Sequence, residues 1–410
     1  MTDIKPTMIE PAIDDLPCTR RVAASPFSQA ANEDPMRQSP LFEPFRLKSL
    51  SLPNRVVMAP MTMEASPGGV PDDHTVQHYA CRAAGGTALL ITEGTTIGRP
   101  AASHNGNIPN FHAADALSGW AKVVEAVHAA GGKIAPQLWH EGMARKPGTG
   151  PNSEAPSEGP SVGSDGGIAM SDTEIADTLE AFAIAAGEAK RLGFDAVEIH
   201  GGHGYLLDNF FWESQNKRTD GYGGNHRNRG RFAGEVVQAI RAAVGEDFPI
   251  IMRFSQFKLE DYLAKIATSP QELEDLLAPC VEAGVDMFHA SQRRFFEPEF
   301  EGSNLNLAGW TKKLTGLPTI TVGSVGLKGA DALDSLRGGE TGPDRIDRIE
   351  ERLANGEFDL VAVGRALLTD PTWTEKVREG RFSEMLAFDP ASLGRRRNNV
   401  DDYLKDSKAS

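Results

Sequence analysis

Residues 197–205 read Val-Glu-Ile-His-Gly-Gly-His-Gly-Tyr, and within six positions they release His200, His203 and Tyr205 among three glycines. Two imidazoles and a phenol form a set of hydrogen-bond donors with acid–base capacity. The glycines let the backbone turn sharply and approach something flat. Taken alone, such a hexapeptide reads as a solvated glycine-rich turn. Its place relative to the other elements of the chain decides between the two readings.

A short apolar run, 196–199, leads into this stretch, and seven similar runs stand at 55–60, 88–93, 133–138, 250–255, 287–291, 319–324 and 360–365. Helical spacing fills the gaps. Ser171-Asp-Thr-Glu174 is a capping box opening an Ala-rich helix to Leu192. Phe232, Val236, Val237 and Ile240 share one helical face. Ser269-Pro270-Gln-Glu272 starts a helix with proline at its first position, and glycine follows the helix ends at Ala84, Ala130, Leu192 and Ala283. Near-continuous apolar strands alternating with helices imply a parallel sheet buried on both faces. Eight such units predict an α/β fold, a closed (β/α)₈ barrel, and the absence of GxGxxG after the first strand argues against a dinucleotide-binding sheet. A Pro-Asn break within 41–55 predicts a hairpin cap on the N-terminal side. The expected organisation is a mobile N-terminal arm over 1–40, a barrel over 41–380 and a C-terminal extension over 381–410. Two long connections, 141–170 and 292–306, leave carboxyl ends of strands and are expected to wall a pocket; a third, 327–358, is expected to decorate the outer helices.

Barrel enzymes place their chemistry at the carboxyl ends of strands, which makes those ends a filter. The first strand yields Ala59, Pro60, Met61 and Thr62, the second Gly94, the third Gln137, Trp139 and His140, and the fifth Arg253. The seventh yields Gly323, Ser324 and Gly326, and the eighth Gly364 and Arg365. Glycine turns after strands seven and eight suit a phosphate, with backbone N–H groups and the Arg365 guanidinium as donors. Adding a planar amide, a strand-end arginine and a short hydroxyl gives a donor set that fits FMN. Thr62, Gln137 and Trp139 are each ordinary barrel residues in isolation, His140 reads as solvated, and the remaining histidines, His289 among them, read as structural or surface.

Lys+Arg 42 against Asp+Glu 57 leaves a net charge of −15, which disfavours nucleic acid or an anionic membrane as partner. Cys18, Cys81 and Cys280 lie far apart with no CxxC pair, arguing against a disulfide scaffold, a cysteine-built metal site or an iron–sulfur cluster. No signal-peptide pattern opens the chain and no run is long enough to span a bilayer, so a cytoplasmic protein is the expectation, with a homo-oligomer left open.

MAPMT at 58–62, ITEGT at 91–95, QLWHEG at 137–142 and EIHGGHGYLLDNF at 198–210 stand in order with KRTDGYGG, MRFS, VGSVG and VAVGRALLTDP. Over 41–373 the chain thereby resembles the old yellow enzymes, FMN-dependent NAD(P)H oxidoreductases and ene-reductases. The resemblance implies non-covalent FMN, NADPH or NADH as electron donor, and reduction of the activated C=C bond of α,β-unsaturated carbonyl or nitro compounds. It implies that Ala59, Pro60, Met61, Thr62 and Gly94 pack along the flavin, with Thr62 bonding its O4. Gln137 would hold the pyrimidine edge, Arg253 would sit near N1 and O2, and Gly323, Ser324, Gly326, Gly364 and Arg365 would hold the phosphate. His200 and His203 would donate to one substrate oxygen, Tyr205 would be the proton donor, and Glu64 and Trp139 would contact substrate. Glu64 stands where relatives often carry tyrosine or a basic residue, which bears on substrate choice rather than on the flavin. The cysteine-rich segment and greater length of iron–sulfur relatives are not seen here. Two other readings share the same residues: an FMN-dependent demethylase of small N-methylated amines, and a metal-dependent barrel hydrolase using Glu198, His200 and His203.

Overall fold

A computed structural model describes residues 39–163, 166–327, 346–388 and 392. Among the described residues a 3-10 turn at Pro40–Phe42 leads into an antiparallel hairpin, β1 (Phe45–Leu47) and β2 (Leu50–Leu52), as expected. There follow β3 (Val56–Met58), α1 (Asp73–Ala84), β4 (Leu89–Thr96), α2 (Ala114–Ala129) and β5 (Lys133–Trp139). A two-stranded ladder, β6 (Glu158–Gly159) and β7 (Ile168–Ala169), lies in the long connection after β5. Next come α3 (Asp172–Arg191), β8 (Val197–His203), α4 (Leu206–Phe211), α5 (His226–Val244), β9 (Ile250–Lys258), α6 (Pro270–Glu282), β10 (Met287–Ser291) and α7 (Leu307–Thr315). The described chain finishes through β11 (Thr319–Val322), α8 (Ile346–Ala354), β12 (Leu360–Val363), α9 (Arg365–Thr369) and α10 (Trp373–Arg378).

β3, β4, β5, β8, β9, β10, β11 and β12 pair in that order, all parallel, and β12 returns to β3 to close the barrel. Period-two alternation sorts each strand's residues. Val57, Leu89, Ile91, Ala135, Ala196, Ile251, Met287, Ile320, Leu360 and Ala362 fill the interior. Their neighbours, such as Val56, Leu90, Ile134, Val197, Met252, Phe288 and Val361, pack outward against the helix layer. The hairpin belongs to the interior cluster: Leu50 and Leu52 are buried within it while Ser51 faces out. A lone two-stranded hairpin is marginal in water, so this one is held by plugging the end of the barrel opposite the carboxyl ends of the strands. Ser49 adds hydrogen bonds from its amide and hydroxyl to the Asp247 carbonyl.

The helix signals act where the sequence places them. Ser171 Oγ accepts from the Glu174 amide, and the Glu174 carboxylate accepts in turn from the Ser171 amide at 2.6 Å. Ser269 caps α6 in the same sense by accepting from the Glu272 amide. At the end of α1 the left-handed residue is Gly86 (φ 88°), one position beyond the glycine that directly follows Ala84. Four strands outrun their apolar cores: β4 reaches Thr96, β5 Trp139, β8 His203 and β9 Lys258. The arm expected over 1–40 falls, apart from Ser39 and Pro40, outside the described residues, as do 328–345 of the third connection and most of 389–410. Among the described residues no helix is long and apolar enough to cross a membrane.

Candidate active site

β8 carries the central residues onto the mouth of the barrel. Its pairing with β9 runs in register to Gly201 opposite Phe254, then slips so that His203 meets Lys258. This irregularity leaves His203 at φ 65°, a strained backbone for a non-glycine residue. The strain is held from several sides. The His203 amide donates to Ser255 Oγ at 2.8 Å, and the Gly204 amide donates to Asp208 Oδ2 at 2.7 Å. Asp208 in turn takes both its oxygens to 2.6 Å from Lys258 Nζ, and neither side chain has any exposed surface. Asn209 Nδ2 donates to the Gly204 carbonyl at 2.7 Å. Tyr205 follows as the residue capping the short α4.

These constraints bring His200, His203, Tyr205 and Trp139 together. The His200 ring lies 5.2 Å from that of His203 and 4.9 Å from that of Tyr205, both nearly perpendicular. Trp139 meets Tyr205 edge-on at 4.9 Å and stacks on His200 at 6.3 Å. Burial, then Arg253 and the neighbouring imidazoles, hold both histidines well below the usual histidine range, so each is neutral at pH 7. Burial, with Glu141 next, pushes the Tyr205 phenol up to about 12. The Gly202 amide donates to His200 Nδ1 at 3.3 Å, which places the His200 proton on Nε2. His203 Nε2 lies 2.8 Å from Ser291 Oγ.

Beside the cluster lies a cavity. Ala59, Pro60 and Met61 line it from the end of β3, Arg253 from β9, Gly323 and Ser324 from the turn after β11, and Gly364 and Arg365 from the turn after β12. His203 borders it as well, joining cavity to cluster. Gly323 adopts φ 139°, and a Cβ there would sit 2.2 Å from the Gln292 carbonyl oxygen, so only glycine fits this turn. Ser324, at φ 53°, is braced by donating its hydroxyl to the Arg293 carbonyl at 3.0 Å. Arg253 is buried, its Nη2 is 3.4 Å from Ser291 Oγ, and its Nε has no acceptor.

The other expected residues are placed differently. Gly94 does not line the cavity; it lies under Trp139, whose ring would be 2.8 Å from a Cβ at that position. Gln137 is inside the barrel, donating from Nε2 to Glu198 Oε1 at 2.7 Å. Thr62 is exposed at the mouth. Gly326 backs onto the Trp373 ring, 3.0 Å from where a Cβ would be. Glu64, at φ 51°, is exposed; it accepts from Asn105 Nδ2 and lies 3.6 Å from His104 Nε2, whose Nδ1 is 2.7 Å from Glu141. His140 is not solvated: it is fully buried, accepting at Nδ1 from the Gly142 amide and meeting Glu158 at 2.8 Å, because the long connection folds back over it. Arg99 joins the same carboxylate at 2.7 Å and ties that connection down.

Gln292 and Arg293 line the cavity from the 292–306 connection, as expected of it, whereas sequence reasoning missed Ser291, which the strand-end filter applied to the sixth apolar run would have yielded. Phe257 and Tyr262, stacked on each other at 5.9 Å, also line it, and no apolar run marks them. Glu198 is turned to Gln137 and His289 rather than joining His200 and His203 as a ligand set.

The donors present fit FMN: an arginine with a free buried N–H, glycine turns that a side chain would fill, and a fixed cation beside them. The family described as NADH:flavin oxidoreductase / NADH oxidase matches residues 40–384. The chain belongs to this family, that of the old yellow enzymes. It is 34% identical over 366 residues to an NADH oxidase of Thermoanaerobacter brockii, covering 86% of this chain but only 53% of that protein. It is 33% identical over 369 residues to 12-oxophytodienoate reductase 7 of Oryza sativa, covering 83% and 88% of the two chains. Among solved structures it superposes on morphinone reductase in complex with tetrahydroNAD with a TM-score of 0.71 and 30% identity, covering 86% and 93%. This old yellow enzyme family member is therefore an FMN-dependent NAD(P)H oxidoreductase on a (β/α)₈ barrel, and a metal-dependent hydrolase is set aside.

Proposed function

We propose that the protein reduces the activated C=C bond of α,β-unsaturated carbonyl or nitro compounds. The observation that carries this reading is the placing of two neutral histidines and a neutral phenol together at the edge of the cavity. Bound FMN supplies the hydride chemistry, drawing on NAD(P)H. Ala59, Pro60 and Met61 would form the surface along its ring with Thr62 at its edge, Gln137 and Arg253 would hold the pyrimidine side, and Gly323, Ser324, Gly364 and Arg365 would hold the phosphate end, with Gly326 closing its turn against Trp373 and Gly94 supporting Trp139 from behind.

An enone accepts hydride at its β-carbon only if the charge growing on its oxygen is stabilised. His200 Nε2–H is free to donate to that oxygen, and Ser291 Oγ–H can occupy His203 Nε2 so that His203 donates from Nδ1. Neutral N–H donors held in a buried site need little reorganisation, and losing one costs on the order of 10²–10³ in rate. Tyr205 then gives its Oη proton to the α-carbon; an enolate carbon is basic enough to take it from a phenol of pKa about 12. Trp139 and Glu64 would border the substrate.

Anaerobic half-reactions of Tyr205→Phe test this. Flavin reduction by NAD(P)H should proceed as in wild type, whereas reoxidation by 2-cyclohexenone should slow by about 10²–10⁴. Equal slowing of both halves would remove Tyr205 from the role of acid. Reduction of the oxidised flavin by N-methylated amines, with no enone or nitroalkene able to reoxidise the reduced flavin, would replace the substrate class with the demethylase reading.

A further inference from the structure

One layer inside the cavity, the barrel interior holds a charge that the proposed chemistry does not use. Glu198 Oε1 accepts from Gln137 Nε2 at 2.7 Å, and Glu198 Oε2 lies 2.6 Å from His289 Nδ1; all three side chains are buried. Strand register sets this up: Gln137 pairs with Glu198, while His289 and His200 both pair with Arg253. His289 Nε2 has no hydrogen-bond partner.

We propose that Glu198 is a positioning residue that fixes the hydrogen-bonding sense of Gln137 and opposes the charge of Arg253 at the flavin site. This rests on the FMN site described above. A carboxylate is acceptor-only, so Gln137 must turn its NH₂ toward Glu198, which leaves its carbonyl oxygen to accept from a ligand N–H. The pyrimidine ring of a flavin carries one such N–H, at N3. His289 donates from Nδ1 to the same carboxylate, and burial keeps its imidazole neutral, so the negative charge of Glu198 is not cancelled by a proton on that ring. Glu198 acts electrostatically on Arg253. Arg253 favours the anionic reduced flavin, and Glu198 disfavours it, so the pair sets the reduction potential between two limits.

The test is the midpoint potential of the FMN-loaded protein, measured by dye equilibration. Glu198→Gln removes the charge and should favour the reduced form about tenfold, moving the two-electron potential up by about 30 mV. Glu198→Asp should return it to the wild-type value. His289→Gln keeps the carboxylate and should leave the potential in place. If Glu198→Gln does not fold, the double variant Glu198→Gln/His289→Gln leaves no half-broken pair and should show the same shift. Bound FMN with an unchanged potential in the charge-removing variants would overturn the proposal, as would an equal shift in His289→Gln, which would mark a packing effect. Wild-type protein that takes up no FMN would instead overturn the underlying reading of the cavity.

Discussion

Replacing Lys258 with methionine removes one half of a buried ion pair and leaves the volume nearly filled. Lys258 Nζ contacts both oxygens of Asp208 at 2.6 Å, with no solvent reaching either side chain. Burial pushes Asp208 up and Lys258 down, each toward neutrality, and the opposing charge is what holds them ionised. Breaking such a pair from one side costs about 3–5 kcal/mol, because a charge is left buried without a partner. At ~2.1 cal/mol/K per residue, unfolding 410 residues carries an entropy of about 0.9 kcal/mol/K. The expected fall in the thermal midpoint is therefore about 3–6 °C. Asp208 also holds the Gly204 amide, between His203 and Tyr205, so the variant should lose affinity for phenolic ligands while keeping its FMN. Calorimetry and a phenol titration of the flavin spectrum read the two effects. Asp208→Asn/Lys258→Met, with neither charge present, should recover most of the midpoint. A fall under about 1 °C with unchanged phenol affinity would refute the idea that this pair braces the loop.

Three further outcomes are expected. Gly94→Val should disturb the substrate side more than the flavin, because its Cβ would collide with Trp139; altered enone selectivity with retained FMN checks this, and lost FMN with normal Trp139 fluorescence would contradict it. Burial raises the Glu158 carboxyl, but hydrogen bonds from His140 and Arg99 outweigh it and bring it to about 2; its folded value lies below its unfolded one, so the stability it gives is present above about pH 4.5 and is lost as pH falls toward 2. Glu158→Gln should flatten that part of an acid-unfolding curve. His200 and His203 are likewise depressed, by burial first, so their neutrality stabilises the fold above about pH 6.5 and that share is lost on acidification below it; His200→Asn should shift the onset of acid unfolding to lower pH.

The sequence carried the barrel because eight apolar runs alternate with capped helices, and Ser171 with Glu174 and Ser269 with Glu272 act locally. The strand-end filter found Arg253, Gly323, Ser324, Gly364 and Arg365 because a closed barrel brings all such ends to one face. What it could not read were contacts between distant segments. His140 is buried only because the 141–170 connection returns Glu158 to it, and Lys258 meets Asp208 only because β9 extends beside β8. Glu198 and His289 are 91 positions apart, and nothing short of the barrel register puts them in contact.

The central claim is that the cavity takes FMN and that the His200, His203 and Tyr205 cluster serves an enone beside it. One anaerobic titration tests it: protein saturated with FMN is reduced with NADPH or NADH, and 2-cyclohexenone is then added while the flavin spectrum is followed. The expected result is bleaching by the nicotinamide and stoichiometric return of the oxidised spectrum with the enone, the return slowed in His200→Ala/His203→Ala. Protein that stays colourless in FMN, or reduced flavin that the enone leaves bleached, would contradict the account.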